Sequence, residues 1–279
     1  MSVASVDVKL RAIPSTLVLV DGTDLHHDLI GAALALQEIV TEAGLPAARG
    51  VGVHRFADPM PATAEADVYV LYLSGPRFDP AEQQALSDLV AAGKGLVAIH
   101  ASNLFGFGAG GVEADRVGID LVGSRYLSHG DAGSEGRFDV RVKAGHPVTR
   151  FLGDFAIDDE YYLIDCVSDI EVLAERDTPD GPQPIAYARQ HGKGRVCYTA
   201  LGHDPRAWGN PWFRQLVRQA VLWTAGVPTR TSSPGPPAGH WATAASSTVD
   251  PGWGGAGGGA HYQLGGQLDV QCLELMPFQ

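Results

Sequence analysis

Asp67-Val-Tyr-Val-Leu-Tyr-Leu73, then Asp79 to Ala92, then Gly95-Leu-Val-Ala-Ile-His100 decide the fold of this chain. Continuous apolar runs of strand length flank a segment with Pro80 in its first turn. That is the pattern of a β-α-β unit: strands buried on both faces read as unbroken apolar runs, and proline at the first helical position lacks only an N–H with no intrahelical partner. Working outward, Thr16-Leu-Val-Leu-Val-Asp21 is a similar run. Asp28 to Ala43 reads as a helix with Leu29, Ala33, Leu36 and Val40 on one face and Gly44 closing it, and Val51 to Phe56 reads as another strand. Towards the C-terminus, Arg137 to Val142, Glu171 to Glu175, Ile185 to Arg189 and Val196 to Leu201 read as strands of more antiparallel character. Gly192 to Arg195 is a turn, and Pro211 to Thr224 is a closing helix. Strands alternating with helices predict an α/β three-layer sandwich, flavodoxin-like, with a mostly parallel sheet and ligands at the carboxyl ends of the strands.

Composition narrows the function. The 279 residues carry a net charge of −12 with no Lys/Arg run, which argues against nucleic acid or an anionic membrane as partner. Ten of the 35 glycines fall in the last 51 residues, so residues 1–228 read as the domain. Residues 229–279 read as a Gly/Pro/Ser-rich tail, with a possible strand where Leu264 to Leu275 alternates. Cys166, Cys197 and Cys272 form no CxxC pair, the charges scattered over Met1 to Ile13 are not those expected of a signal peptide, and no window reaches the length of a membrane span. A cytoplasmic protein is expected.

Polar residues gather at the predicted strand ends. Asp24, His26 and His27 follow the first run, and His100, Ser102 and Asn103 end the run from Gly95. His129 follows Leu121 to Leu127, Asp158-Asp-Glu-Tyr-Tyr162 is an acidic–aromatic cluster, and His203 follows Leu201-Gly. Imidazoles and a carboxylate on one rim suit either divalent-metal ligation or general acid–base work. The bland alternatives are a helix-start dipeptide at His26-His27, core histidines at His100 and His203, and an exposed acidic turn at Asp158 to Glu160. No G-x-[CS]-x-G nucleophile elbow, Walker A motif or GxGxxG stretch is present, and Ser102 lacks flanking glycines.

Gly93-Lys-Gly-Leu-Val-Ala-Ile-His-Ala101, Gly123 to His129, His146-Pro-Val-Thr149, Asp159-Glu-Tyr161, Gly192 to His203 and Trp208 to Trp223, in that order, resemble the ThuA-like (trehalose utilisation) family over residues 16–226. The resemblance implies the class I glutamine amidotransferase-like fold without its cysteine, and a sugar context, often beside oxidoreductases that make keto-sugars. It carries the recurrent polar positions onto His27, His100, His129, Glu160 and His203. Two departures bear on the substrate: Val117-Gly-Ile-Asp-Leu-Val-Gly-Ser124 replaces an aromatic-rich stretch, and Ser102-Asn103 replaces smaller residues.

The resulting expectation is an enzyme of carbohydrate metabolism acting on a small polyhydroxylated substrate, a sugar or keto-sugar derivative, by hydrolysis, elimination–hydration or isomerisation. Glu160 and His203 are the expected acid–base pair. His100 and His129 are expected to hold a divalent metal (Zn, Mn or Fe), with Glu160 and His203 as further ligands, or to bind substrate oxygens. His27, Asn103, Asp159 and Tyr161 are expected to touch substrate, and the chain to form a homodimer. The rival readings are a non-catalytic sugar-binding or regulatory protein and an accessory subunit.

Overall fold

In the computed structural model, residues 12–23, 25–75, 78–108, 110–131 and 133–228 are described. Asp24 and the expected strand at Leu264 to Leu275 lie outside them. Strands β1 (Thr16–Gly22), β2 (Ala47–Val51), β3 (Val68–Ser74) and β4 (Gly95–Ile99) are mutually parallel in the order β2-β1-β3-β4. Helix α1 (Leu29–Glu42) starts where Asp28 accepts the Gly31 N–H at 2.8 Å. A short helix α2 (Pro61–Glu65) precedes β3. Helix α3 (Pro80–Ala91) opens with a capping box between Asp79 and Glu82. β1, β3 and β4 are buried almost throughout, as their apolar runs require.

The expected strand at Val51 to Phe56 is displaced. The chain pairs over Ala47–Val51 instead, turns at Gly52, and winds Val53–Phe56 into a 3-10 turn that buries Val53 and Phe56. β2 is an edge strand with mostly unburied residues, so it carries no apolar run. The apolar spacing that suggested a strand belongs to the turn after it.

Beyond β4 come two short helices, α4 (Gly111–Ala114) and α5 (Arg116–Val122), then β5 (Ser124–Ser128), β6 (Glu135–Val142), β7 (Phe155–Glu160) and β8 (Leu163–Cys166). β9 (Glu171–Thr178), β10 (Gly181–His191) and β11 (Gly194–Thr199) complete the strands, followed by α6 (Pro205–Trp208) and α7 (Pro211–Thr224). β5 and β8 form a separate antiparallel pair. The main sheet continues β4-β11-β10-β9-β6-β7, with β11 parallel to β4 and the remaining pairs antiparallel. The three-layer α/β fold expected from the sequence is the fold observed.

β6 divides its length between two partners. Glu135 to Val140 pair with β7, whereas only Arg141 and Val142 pair with β9. β6 and β7 are the last two strands of the main sheet, and from β7 the Asp159 carboxylate reaches the Gly202 and His203 N–H groups that follow β11. Among the described residues no helix is long and apolar enough to cross a membrane.

Candidate functional site

Four strand ends deliver the site. His27 lies in the loop after β1, His100 directly follows β4, His203 follows β11, and Glu160 ends β7. His100 sits at a strand-to-helix turn with φ +53°, a conformation costing a non-glycine residue roughly 1 kcal/mol or more. This is the backbone turn of a nucleophile elbow, but it presents an imidazole. Ser102 is not a nucleophile here. Its buried hydroxyl accepts the Leu73 N–H at 3.1 Å and lies 2.7 Å from the Ile99 carbonyl, tying β3 to β4. Burial pushes the thiols of Cys166 up to about 11, with a contribution from Asp165, and of Cys197 up to about 12, so neither supplies a thiolate.

The Gly202-His203 segment is held on every backbone polar group. Asp159 accepts the N–H of Gly202 at 2.7 Å and of His203 at 3.0 Å, Trp208 Nε1 donates to the Gly202 carbonyl at 2.7 Å, and Tyr72 Oη donates to the His203 carbonyl at 2.8 Å. Gly202 itself has φ +116°, and a Cβ there would stand 3.0 Å from both Ile99 and Phe213, so glycine is required.

The donor atoms converge closely. His100 Nε2 is 3.1 Å from His27 Nε2, 3.3 Å from His203 Nδ1 and 3.2 Å from Glu160 Oε2, and His203 Nδ1 is 3.5 Å from the same oxygen. All four ligand atoms lie within 4.8 Å of one another. Donors bound tetrahedrally at zinc distances stand roughly 3.3 Å apart, so the set fits a divalent ion. The His100 ring orientation adds chemistry. Its Nδ1 lies 2.8 Å from the Ala200 carbonyl, which can only accept, so Nδ1 carries the proton. In the neutral ring, the Nε2 lone pair then faces a carboxylate oxygen. That contact is favourable only with a positive charge between or upon the groups, supplied by a second proton or by a metal cation.

Electrostatics agree. Burial alone would raise the Glu160 carboxyl, but the His100 hydrogen bond and the charges of His100, His203 and His129 outweigh it and bring it down to about 2. His203 is lowered by burial and then by His100. His129 stands beside the four, its Nε2 3.4 Å from Glu160 Oε2 and its Nδ1 3.2 Å from the Tyr126 hydroxyl, with its side chain 34% exposed. It is not one of the four clustered donors, whereas His27, expected to touch substrate, is.

Three expected substrate contacts lie elsewhere. Asp159 is fully buried and spends its oxygens on the N–H groups of Glu160, Gly202 and His203; burial pushes its carboxyl up to about 6 against the pull of His100 and these donors. Asn103 is buried with its amide on Ser124 Oγ at 3.0 Å. Tyr161 packs against Phe138 and beneath the Arg176 guanidinium, 5.0 Å from its ring centre. The aromatic residue of the site is Tyr162, 4.4 Å from the His100 ring and 4.6 Å from Tyr126. Period-two alternation from Glu160 places 160 and 162 on one side and 161 on the other, a signal available in the sequence. His146 Nδ1 accepts the Val148 N–H and His191 Nε2 pairs with the Ser87 hydroxyl.

The ThuA family profile, described as trehalose utilisation, matches residues 16–224. A ThuA-like protein from Parabacteroides merdae ATCC 43184 superposes with a TM-score of 0.64 at 17% identity, over 78% of this chain and 93% of that one. A cytoplasmic protein from Salmonella typhimurium LT2 gives 0.50 at 18%, over 75% and 97%. The β-galactosidase from Rahnella sp. R3 gives 0.52 at 14%, over 77% of this chain but 32% of the galactosidase. At these identities the likeness is one of fold. No curated protein matches the chain by sequence.

Proposed function

The chain belongs to the ThuA (trehalose utilisation) family, and on that premise we propose that it is an enzyme acting on a sugar or keto-sugar derivative, with His27, His100, His203 and Glu160 holding a divalent metal ion. The family description supports a carbohydrate-related role. The observation that carries the metal is the set of donor separations of 3.1–3.5 Å about His100 Nε2, whose lone pair is fixed by the Ala200 carbonyl. Such an ion supplies Lewis acidity that polarises a sugar carbonyl or hydroxyl oxygen.

The protein residues do the rest. Ala200 fixes the His100 tautomer, and Asp159 fixes the backbone that carries His203 and Glu160. Glu160 and His203, expected from sequence as the acid–base pair, serve here as ligands, because both point at the same centre as His100. Proton transfer falls to His129. It is the partly exposed imidazole of the group, and the Tyr126 hydroxyl can donate to or accept from its Nδ1, which lets Nε2 give or take a proton. Hydrolysis, elimination–hydration and isomerisation all use an oxygen polarised in this way and a proton moved beside it.

Elemental analysis of protein purified without chelator tests the reading. One Zn, Mn or Fe per chain, lost in both His100→Ala and His203→Ala, together with turnover of a keto-glucoside that chelation abolishes and the metal restores, supports it. Metal-free protein with full activity overturns the metal role. Sugar binding without turnover, unchanged in His129→Ala, supports the sugar-binding rival instead.

A further inference from the structure

The rings at the site do not stop at Tyr162. Tyr162 lies tilted against His100 at 4.4 Å, Tyr126 lies 4.6 Å from Tyr162, and Phe107 lies 5.8 Å from Tyr126. Along this series the rings run from fully buried to open: Tyr162 is buried, Tyr126 half-buried, and Phe107 is 62% exposed. A single exposed phenylalanine is ordinary on a protein surface. What sets this one apart is how its loop is fixed. Phe105 is buried and fills the space beside Gly118. The Gly106 N–H donates to Asp115 Oδ2 at 2.7 Å, and Asp115 is itself held by Gln83 Nε2 at 2.9 Å. Gly106 has φ +88°, with Val112 2.9 Å from where a Cβ would be. Phe105 and Gly106 anchor the backbone before Phe107 and the Gly108 carbonyl accepts the Gly111 N–H at 3.0 Å after it, and the ring between them is displayed outward against Tyr126.

Tyr126 joins the two parts of the surface. Its hydroxyl binds His129, and its ring touches Phe107. A ring face that is apolar, exposed and fixed beside a polar reaction centre matches the C–H face of a pyranose, whose hydroxyls remain at the edge for water or protein. Phe107 lies 5.8 Å from Tyr126 and Tyr126 lies 5.4 Å from His129, so Tyr126 connects the exposed ring to the edge of the histidine cluster.

We propose that Phe107 and Tyr126 form a stacking subsite for a second sugar ring, so that the substrate is a glycoside with one ring at the histidine cluster and its neighbour on Phe107. This rests on the carbohydrate reading above and names its substrate class.

Trehalose, methyl α-D-glucopyranoside and erythritol serve as probes with two rings, one ring and none, using saturation-transfer NMR and calorimetry on the metal-loaded full chain. Phe107→Ala is expected to weaken trehalose binding about tenfold, to change methyl glucoside binding less than threefold, and to leave metal content and melting temperature unaltered. Phe107→Tyr and Phe107→Trp are expected to restore trehalose binding, and Phe107→Trp to show trehalose-dependent fluorescence absent from the parent. Equal trehalose affinity in Phe107→Ala and parent overturns the subsite while leaving the carbohydrate reading intact. A parent that binds none of the three probes overturns both.

Discussion

Replacing Asp159 separates a structural carboxylate from a substrate-binding one. The side chain is inaccessible to solvent, Oδ1 accepts from Glu160 N at 2.9 Å and His203 N at 3.0 Å, and Oδ2 accepts from Gly202 N at 2.7 Å. In Asp159→Ala these N–H groups lose their acceptor in a closed space, each costing roughly 1–3 kcal/mol, from which relaxation and water entry recover part. A net loss of about 3–5 kcal/mol is expected, or on the order of 10 °C in melting temperature for a domain of this size. Asp159→Asn keeps one oxygen but turns an amide N–H toward Gly202 N–H, so it should lose about 1–3 kcal/mol. Two of the freed groups belong to Glu160 and His203, so metal affinity should fall by at least tenfold in Asp159→Ala. Thermal melts by circular dichroism, calorimetry and metal titration measure the three quantities. An Asp159→Ala protein within 1 kcal/mol of the parent, with unchanged metal affinity, would refute the reasoning. So would a pure KM effect at full stability, which would return Asp159 to the substrate surface.

Other perturbations have directions fixed by the same contacts. Gly202→Ala forces a Cβ against Ile99 and Phe213 at φ +116°, and chemical denaturation should register a loss of about 2 kcal/mol or more. Ser102→Ala should cost about 1–3 kcal/mol from the stranded Leu73 N–H and leave activity per folded molecule unchanged; abolished turnover in folded protein would make Ser102 a reactive group. In the metal-free protein burial raises the Glu160 carboxyl but the surrounding histidines bring it down to about 2 against 4.5 ordinarily, so the native state resists its protonation. Its contribution, at most about 3 kcal/mol, is therefore complete above pH 4.5 and lost as pH falls from there towards 2. Unfolding curves of Glu160→Gln in that range should flatten relative to the parent, and parallel curves would contradict the assignment. Tyr126→Phe should lower kcat with little change in metal content, because it removes the partner of His129 Nδ1 and no metal ligand.

Where burial was symmetric, the sequence was easy to read. β1, β3 and β4 are covered on both faces and show continuous apolar runs, and the rule that ligands gather at strand ends placed His100 and His203. β2 escaped because an edge strand has no run to display, and its neighbouring 3-10 turn mimicked one. β7 escaped because Asp158, Asp159 and Glu160 look like a solvated turn unless a partner for each is known, and the partners of Asp159 lie 43 and 44 residues away. The same distance effect hides which groups each side chain of the rim meets. Polarity marked Asp159 and Asn103 as substrate contacts, but only the fold shows that backbone amides and Ser124 use them. His27 lies among the four clustered donors and His129 beside them, since strand-end position brings residues to a rim without ordering them on it.

The division of β6 between two partners also sets how the molecule opens. Only Arg141 and Val142 of β6 are in backbone register with β9, the rest of the hairpin being held by side chains such as Arg176 over Phe138 and the Asp159 carboxylate, so the β6–β7 hairpin is expected to open more readily than the parallel sheet. Its departure would carry away Glu160 together with the clamp on His203, so an ion held there as proposed would leave with local opening. Amides of Arg137 to Val140 should then exchange with solvent as a cooperative block, faster than those of β3 and β4, and saturating metal should slow that block selectively. Opening of this hairpin, and not the chemistry at the rim, would set the residence time of the ion.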